Sequence, residues 1–197
     1  MIFNIFKRRD RSPIPQQLYG GLVAQARNPV FFTRYGFADT VTGRFDCLAL
    51  HMFLFSRRMK HETSANAAEL GQEVFDRFVE NLDQALRELG IGDQSVPKRK
   101  KKLVHTFYGQ IEDFDGPLTA GDRPALQKAV AARLFASGKG MDKPPAVEAG
   151  ADNPDMYAAL TTDYILMAAA ELEKVPAEEI MSGRLDWPSP APDLAGQ

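Results

Sequence analysis

A single cysteine, Cys47, occurs in the 197 residues, so no internal disulfide can staple the chain. It lies in the apolar run Cys47-Leu48-Ala49-Leu50, where a free thiol behaves as a small hydrophobe; this usage points to a reducing compartment. Histidine is scarce as well. His51, His61 and His105 are scattered, and Cys47 with His51 makes one closely spaced pair where a zinc site needs two, so no metal centre is expected. The chain has no glycine-rich phosphate loop and no Gly-x-Ser-x-Gly elbow, which removes the common nucleotide-binding and serine-hydrolase readings. Long apolar runs are missing too. The longest, Cys47 to Phe55, is interrupted by His51 and falls well short of the roughly 20 residues that cross a bilayer. Neither sign of charge dominates: 24 Lys and Arg face 26 Asp and Glu, a formal net charge of −2. A general nucleic-acid binder, DNA included, needs a broad basic surface and is therefore not expected.

What remains is an ordinary globular composition, 44% hydrophobic and 25% charged, at a length that one hydrophobic core can serve. Apolar residues recur at helical spacing and no sustained period-2 alternation appears. The expected fold is all-α: one compact domain of about six to seven helices over residues 13–187, with a tail from 188 to 197 that has little to bury. Residues 1–12 form a separate segment. In it Ile2, Phe3, Ile5 and Phe6 precede Lys7, Arg8, Arg9 and Arg11, the reverse of a secretory signal. Such a segment can fray, or lie on an anionic membrane.

The first helix is expected after Pro13 and Pro15, ending before Pro29. An aromatic connector, Val30-Phe31-Phe32 to Tyr35-Gly36-Phe37, leads to Asp39 and Thr40, either of which can cap a central helix from about Arg44 to His61. That helix is apolar on most of its circumference, so it should be buried on several sides. A third long helix carries Leu70, Val74, Phe75, Phe78, Leu82, Leu86 and Leu89 as one face, with Asn66 and Glu69 as its capping box and Gly90 as its stop. A fourth follows Ser95 with Leu103, Val104, Phe107 and Ile111, ending at Gly116-Pro117. A fifth is capped by Asp122 and carries Leu126, Val130 and Leu134 up to Gly138. A sixth, opened by Asn153-Pro154, has Met156, Leu160, Tyr164, Met167 and Leu172 on its face, and a turn from Glu178 to Ser182 adds to it.

Few residues offer chemistry. Asp39 and Asp46 form a conceivable acid/base pair, though helix capping explains both more simply. His51, among apolar neighbours, reads as a core histidine bonded to a carbonyl or carboxylate, or else as a switch or ligand. The run Lys98-Arg99-Lys100-Lys101-Lys102 opposes the dipole of the helix it opens. It is either a solvated face or a contact for an anionic partner: lipid headgroup, RNA or acidic protein. Gly109, after Phe107-Tyr108, marks close packing.

The blocks Tyr35-Gly36-Phe37-Ala38-Asp39-Thr40, Gly43-Arg44-Phe45-Asp46, Leu48, His51 and Arg57-Arg58 resemble the ubiquinol–cytochrome c chaperone family. A second block, Gly90-Ile91-Gly92-Asp93-Gln94-Ser95-Val96 followed by Lys98, Lys101-Lys102 and Phe107-Tyr108-Gly109, is similar to that family in the same order. The resemblance spans Tyr19 to Phe135. It implies a helical, non-enzymatic chaperone without a cofactor that holds newly made cytochrome b during assembly of the cytochrome bc1 complex. It also implies a ribosome or a small helper protein as further partners. A start with Ile2-Phe3 and an arginine cluster resembles a bacterial, cytoplasmic member working at the inner membrane.

On this reading Phe31, Phe32, Tyr35, Phe37 and the central helix form a groove for an apolar client helix. Asp39, Arg44, Asp46, His51, Arg58, Lys98, Lys101, Lys102 and Tyr108 supply contacts to the client or to an anionic surface. Two rivals stay open: a small enzyme using Asp39, Asp46 and His51, which requires those side chains to converge, and a membrane or RNA adaptor driven by the basic runs.

Overall fold

A computed structural model describes residues 13–88, 92–136 and 153–190. Helix α1 (Pro13–Ala26) opens on two prolines, which suit a first turn because the amides they lack would have no intrahelical partner there. The aromatic connector then departs from expectation. Asn28 accepts a hydrogen bond from the Val30 amide at 3.1 Å and Pro29 follows it, so the segment winds into a short helix, α2 (Pro29–Thr33). The Asn-Pro pair caps and pre-sets a helical turn, which is the physical reason.

Gly36 follows with φ +73°, and a Cβ there would lie 2.4 Å from the Tyr157 ring. Both its backbone angle and its neighbour require glycine. The Thr40 hydroxyl accepts from the Gly43 amide at 3.2 Å and starts α3 (Val41–Lys60) ahead of the expected Arg44. Thr40 is thus the cap, and Asp39 instead pairs with Arg44. Every residue from Ala49 to Phe55 is buried, and α3 packs against α1, α4, α5 and α7.

Helix α4 (Ala65–Glu88) is capped by Ser64, whose hydroxyl accepts from the Ala67 amide at 3.2 Å. The expected cap, Asn66, already lies inside the helix. Leu70, Val74, Phe78, Leu82 and Leu86 are buried at four-residue steps, the stripe the sequence shows. Leu89 and Gly90 lie outside the described residues. Helix α5 (Val96–Ala120) runs through Pro117 instead of stopping there. Burial of Leu118 beyond the proline favours the extra turn, and Gly121, left-handed at φ 67°, ends it with the Asp122 amide donating to the Pro117 carbonyl at 2.9 Å. Asp122 caps α6 (Arg123–Val130) through the Ala125 amide at 2.9 Å, and the helix loosens into a π turn over Ala131–Phe135. Leu126, Val130 and Leu134 are buried, as the spacing predicts; Gly138 lies outside the described residues.

Asn153 accepts from the Met156 amide at 3.0 Å and opens α7 (Pro154–Lys174). Its buried face is rotated from the expected one. Met156 is 45% exposed, whereas Ala158, Thr161, Thr162, Ile165, Ala168 and Leu172 are buried with Tyr164. Small side chains fill the buried stripe where α7 packs against α3 and α6, and that packing outweighs the pull of the larger methionines. Helix α8 (Ala177–Met181) follows. The chain then returns over the core. Trp187 meets His51 edge-on at 5.1 Å, Gln25 Nε2 donates to the Pro188 carbonyl at 2.9 Å, and the Tyr35 hydroxyl donates to the Pro190 carbonyl. Residues 188–190, expected in the tail, are therefore held to the fold; 1–12 and 191–197 lie outside the described residues.

One polar chain runs through this apolar interior. His51 is fully enclosed. Its Nδ1–H donates to the Cys47 carbonyl at 2.7 Å, which leaves Nε2 to accept from the Tyr164 hydroxyl at 2.8 Å. Tyr164 in turn accepts from Gln25 Nε2 at 3.1 Å. A neutral imidazole has one donor and one acceptor, and both are satisfied here. Burial lowers the His51 pKa from 6.5 to about 4, against the raising effect of the Cys47 carbonyl. Burial also pushes the Cys47 thiol and the Tyr164 phenol above their ordinary ranges. Arg58, buried, closes the other end of the α3–α7 contact. Its Nε donates to the Leu172 carbonyl at 2.9 Å, Nη2 to the Val175 carbonyl at 2.8 Å and Nη1 to Glu62 at 2.5 Å, so the guanidinium caps the carbonyl end of α7.

Two outcomes are expected. Folded His51 stays neutral while the unfolded chain protonates, so stability should fall as pH drops from 6.5 toward 4, by up to about 3 kcal/mol. H51Q should flatten that slope in chemical denaturation, and Y164F, which orphans Nε2, should cost about 1–3 kcal/mol at neutral pH. The glycines should split. A Cβ at Gly43 would sit 2.1 Å from the Ala38 carbonyl oxygen, whereas Gly20 has open space. G43A should therefore destabilise the fold by about 2 kcal/mol or more, and G20A should raise the melting temperature through helix propensity worth about 1 kcal/mol.

Candidate functional site

Helix α1 carries apolar residues on two faces. Leu18, Leu22 and Ala26 enter the core, while Tyr19, Val23 and Arg27, four residues apart, border a cleft. The opposite wall is the second half of α4, with Asn81, Leu82, Gln84, Ala85 and Leu86. The first half of α3 forms the floor with Val41, Arg44, Phe45 and Leu48, and α5 adds Leu103. The cleft has a volume of about 400 Å³, within the range of small binding sites. Its charged lining residues are Arg27 and Arg44, with no carboxylate among the side chains that form it. Val41 is 51% exposed, an aliphatic side chain left in water at the rim. Burial pushes the Tyr19 phenol up to about 12, offset in part by Arg27.

Three of the residues singled out from the sequence meet at this rim. Arg44 Nε pairs with Asp39 at 2.7 Å, and its guanidinium stands 5.8 Å over the half-buried Phe32 ring. Asp39 and Arg44 are both largely exposed, so their pair is weak and exchangeable.

The rest of the expected groove closes up. Phe31, Tyr35 and Phe37 are buried in an aromatic cluster with Tyr164 and His51. Tyr35, Phe37, His51 and Arg58 present no surface to a partner in this conformation, because each is spent on joining α2, α3, α7 and the returning C-terminal segment. Asp46 is half-buried on α3 and engaged within the fold. The enzyme reading required Asp39, Asp46 and His51 to converge; His51 is packed in the core and Asp39 lies exposed at the start of α3, so that set does not assemble. Among the described residues no cluster of His, Cys, Asp and Glu could hold a metal.

On α5, Lys98, Lys101 and Lys102 are exposed, and Tyr108 is 49% exposed while its ring rests on Phe75 and Phe107. Lys100 faces the other way, to Asp83 at 3.0 Å, and together with Arg87 it holds that carboxyl below the usual range. Gly109 accommodates the Arg133 guanidinium, 2.8 Å from where a Cβ would be. The close packing expected there is real, though the approaching group is a side chain.

The cleft walls supplied by α1 and α4 were not singled out from the sequence. The available signal was the Tyr19/Val23/Arg27 spacing, which gives α1 a second face beside its core stripe.

Comparison with known proteins follows the same lines. A search of curated proteins finds no match. A solved structure, the Cbp3 homolog from Brucella abortus, superposes with a TM-score of 0.73 at 33% sequence identity, covering 90% of this chain and 90% of that one. The family model described as ubiquinol-cytochrome C chaperone matches residues 33–187, a span from α2 through the segment that returns over His51. With its all-helical fold, this chain belongs to the ubiquinol–cytochrome c chaperone family.

Proposed function

We propose that the protein is a non-catalytic assembly chaperone of the cytochrome bc1 complex that holds newly made cytochrome b. An apolar helical segment of the client would dock in the cleft between α1, α3 and α4. The cleft itself carries this reading: an apolar trough with an exposed valine at its rim, in a chain of a chaperone family. Its volume suits the anchor side chains from one face of a helix, set at i, i+4 and i+7, rather than a whole helix. Burial of those anchors supplies affinity without chemistry.

Arg27 and Arg44 favour a client segment that brings a carboxylate or the carbonyl end of a helix to the rim. In that event Arg44 exchanges its exposed Asp39 partner for the client. A membrane subunit as client places the work in the cytoplasm beside the inner membrane.

Binding of detergent-solubilised cytochrome b helices to the full-length chain, followed by fluorescence anisotropy across salt concentrations, tests the proposal. The parent should bind saturably and tolerate salt. V41D/A85E should weaken binding by about tenfold or more. Both positions are exposed, and aspartate is favourable in the first turn of a helix, so the fold should survive. No binding by the parent would sink the client reading; equal binding by both would sink the cleft.

A further inference from the structure

A cationic face lies outside the cleft. Lys98, Lys101, Lys102, His105 and Tyr108 are all exposed on α5. At 3.6 residues per turn and 1.5 Å per residue they fall within an arc of about 120° and a length of about 15 Å. The opposite face is committed. Val96, Phe107 and Phe114 are buried, Lys100 reaches Asp83, and Arg99 is engaged. The run of five cations is thus divided by the helix. Lys98, Lys101 and Lys102 form no ion pair with any described residue.

Helix stability does not account for these three. Cations in the first turns oppose the helix dipole and repel one another, and Ser95 gives no side-chain cap in compensation. No carboxylate shares their stripe of α5 in the turns that hold them. Glu112, a turn beyond Tyr108, is the first on that stripe, and Asp113 is taken by Arg133.

The composition of the face selects among anions. Nucleic-acid surfaces favour arginine forks and several stacking aromatics, whereas this face presents no arginine and one aromatic on a molecule of net charge −2. A lipid surface asks for something else: long lysines that extend into a diffuse negative field, and an amphipathic ring at headgroup depth. Tyr108 fits the second role, with its ring packed 6.0 Å from Phe75 and 5.7 Å from Phe107 and about half its surface in solvent.

We infer that this face of α5 rests on an anionic lipid bilayer, with Lys98, Lys101 and Lys102 among the headgroup phosphates and Tyr108 at the headgroup boundary. The contact is peripheral: no helix among the described residues is long and apolar enough to cross a membrane. It is independent of the client in the cleft and stands or falls separately.

Sedimentation of the full-length chain with vesicles of phosphatidylcholine, alone or mixed with phosphatidylglycerol, reads the contact directly. The parent should partition onto the mixed vesicles and not onto phosphatidylcholine. K98Q/K101Q/K102Q should lose about a hundredfold in partitioning, and glutamine keeps helix propensity, so the circular dichroism spectrum should be unchanged. R34Q/K128Q/R184Q, which removes the same charge from exposed positions elsewhere, should partition like the parent, and Y108S should lose several-fold. The proposal is overturned if the two triple variants bind alike, or if the parent ignores the anionic lipid. It is equally overturned if the lysine substitutions abolish binding to single-stranded RNA or polyglutamate and spare the vesicles.

Discussion

The hydrogen bond from the Tyr164 hydroxyl to His51 Nε2 reaches across the α3–α7 contact, and the positions of several other elements follow from it. His51 has no freedom in choosing partners: its Nδ1 proton is held by the backbone of α3 itself, so its one remaining lone pair must be met from another helix. Tyr164 meets it, and the same hydroxyl is met by Gln25 of α1, whose amide also holds the returning chain at Pro188. Apolar contact alone is non-directional and would tolerate sliding between helices. A buried chain of donors and acceptors does not, because a shift that breaks one link leaves a polar group stranded. Since α1 and α3 are two sides of the cleft, its width is set partly by bonds made on the far side of those helices.

The helical architecture could be read from the chain because amphipathic spacing and end signals agree along most of it. The α4 stripe, the Asp122 and Asn153 caps and the encirclement of α3 by its neighbours all follow from patterns visible without coordinates. The misreadings each have a local cause. Asn28-Pro29 carries the same capping signal as Asn153-Pro154 but sits beside an aromatic cluster that invites a loop reading. Ser64 and Asn66 are both good caps, and only the observed bond to the Ala67 amide separates them. Pro117 looks like a stop until Leu118 finds the core. On α7 the large apolar residues suggest one face, and packing against α3 and α6 selects the small ones.

The candidate site was harder to read, again for a physical reason. The residues that make the chain recognisable as a family member are mostly those that hold it together: Gly36 under Tyr157, Gly43 against the Ala38 carbonyl, His51 in its polar chain and Arg58 on the end of α7. A motif records where substitution is costly, and the core is costly everywhere. The cleft is built from Val23, Leu48, Ala85 and their neighbours, which carry no unusual chemistry one by one and become a site only when three helices align them. The exposed lysines of α5 were legible as a charge run, but its division into a committed side and a free side required the helix in place.

The segment that returns over His51 bears on how the molecule comes into being. Synthesis proceeds from the N-terminus, so α1, α3 and α7 have all left the ribosome before Trp187 and Pro188 can reach them. Until then one edge of the imidazole lies open and Gln25 lacks one of its two acceptors. The chaperone is therefore itself a late finisher, since the contacts that Trp187 and Pro188 make over His51 and Gln25 can form only after the helices beneath them are made.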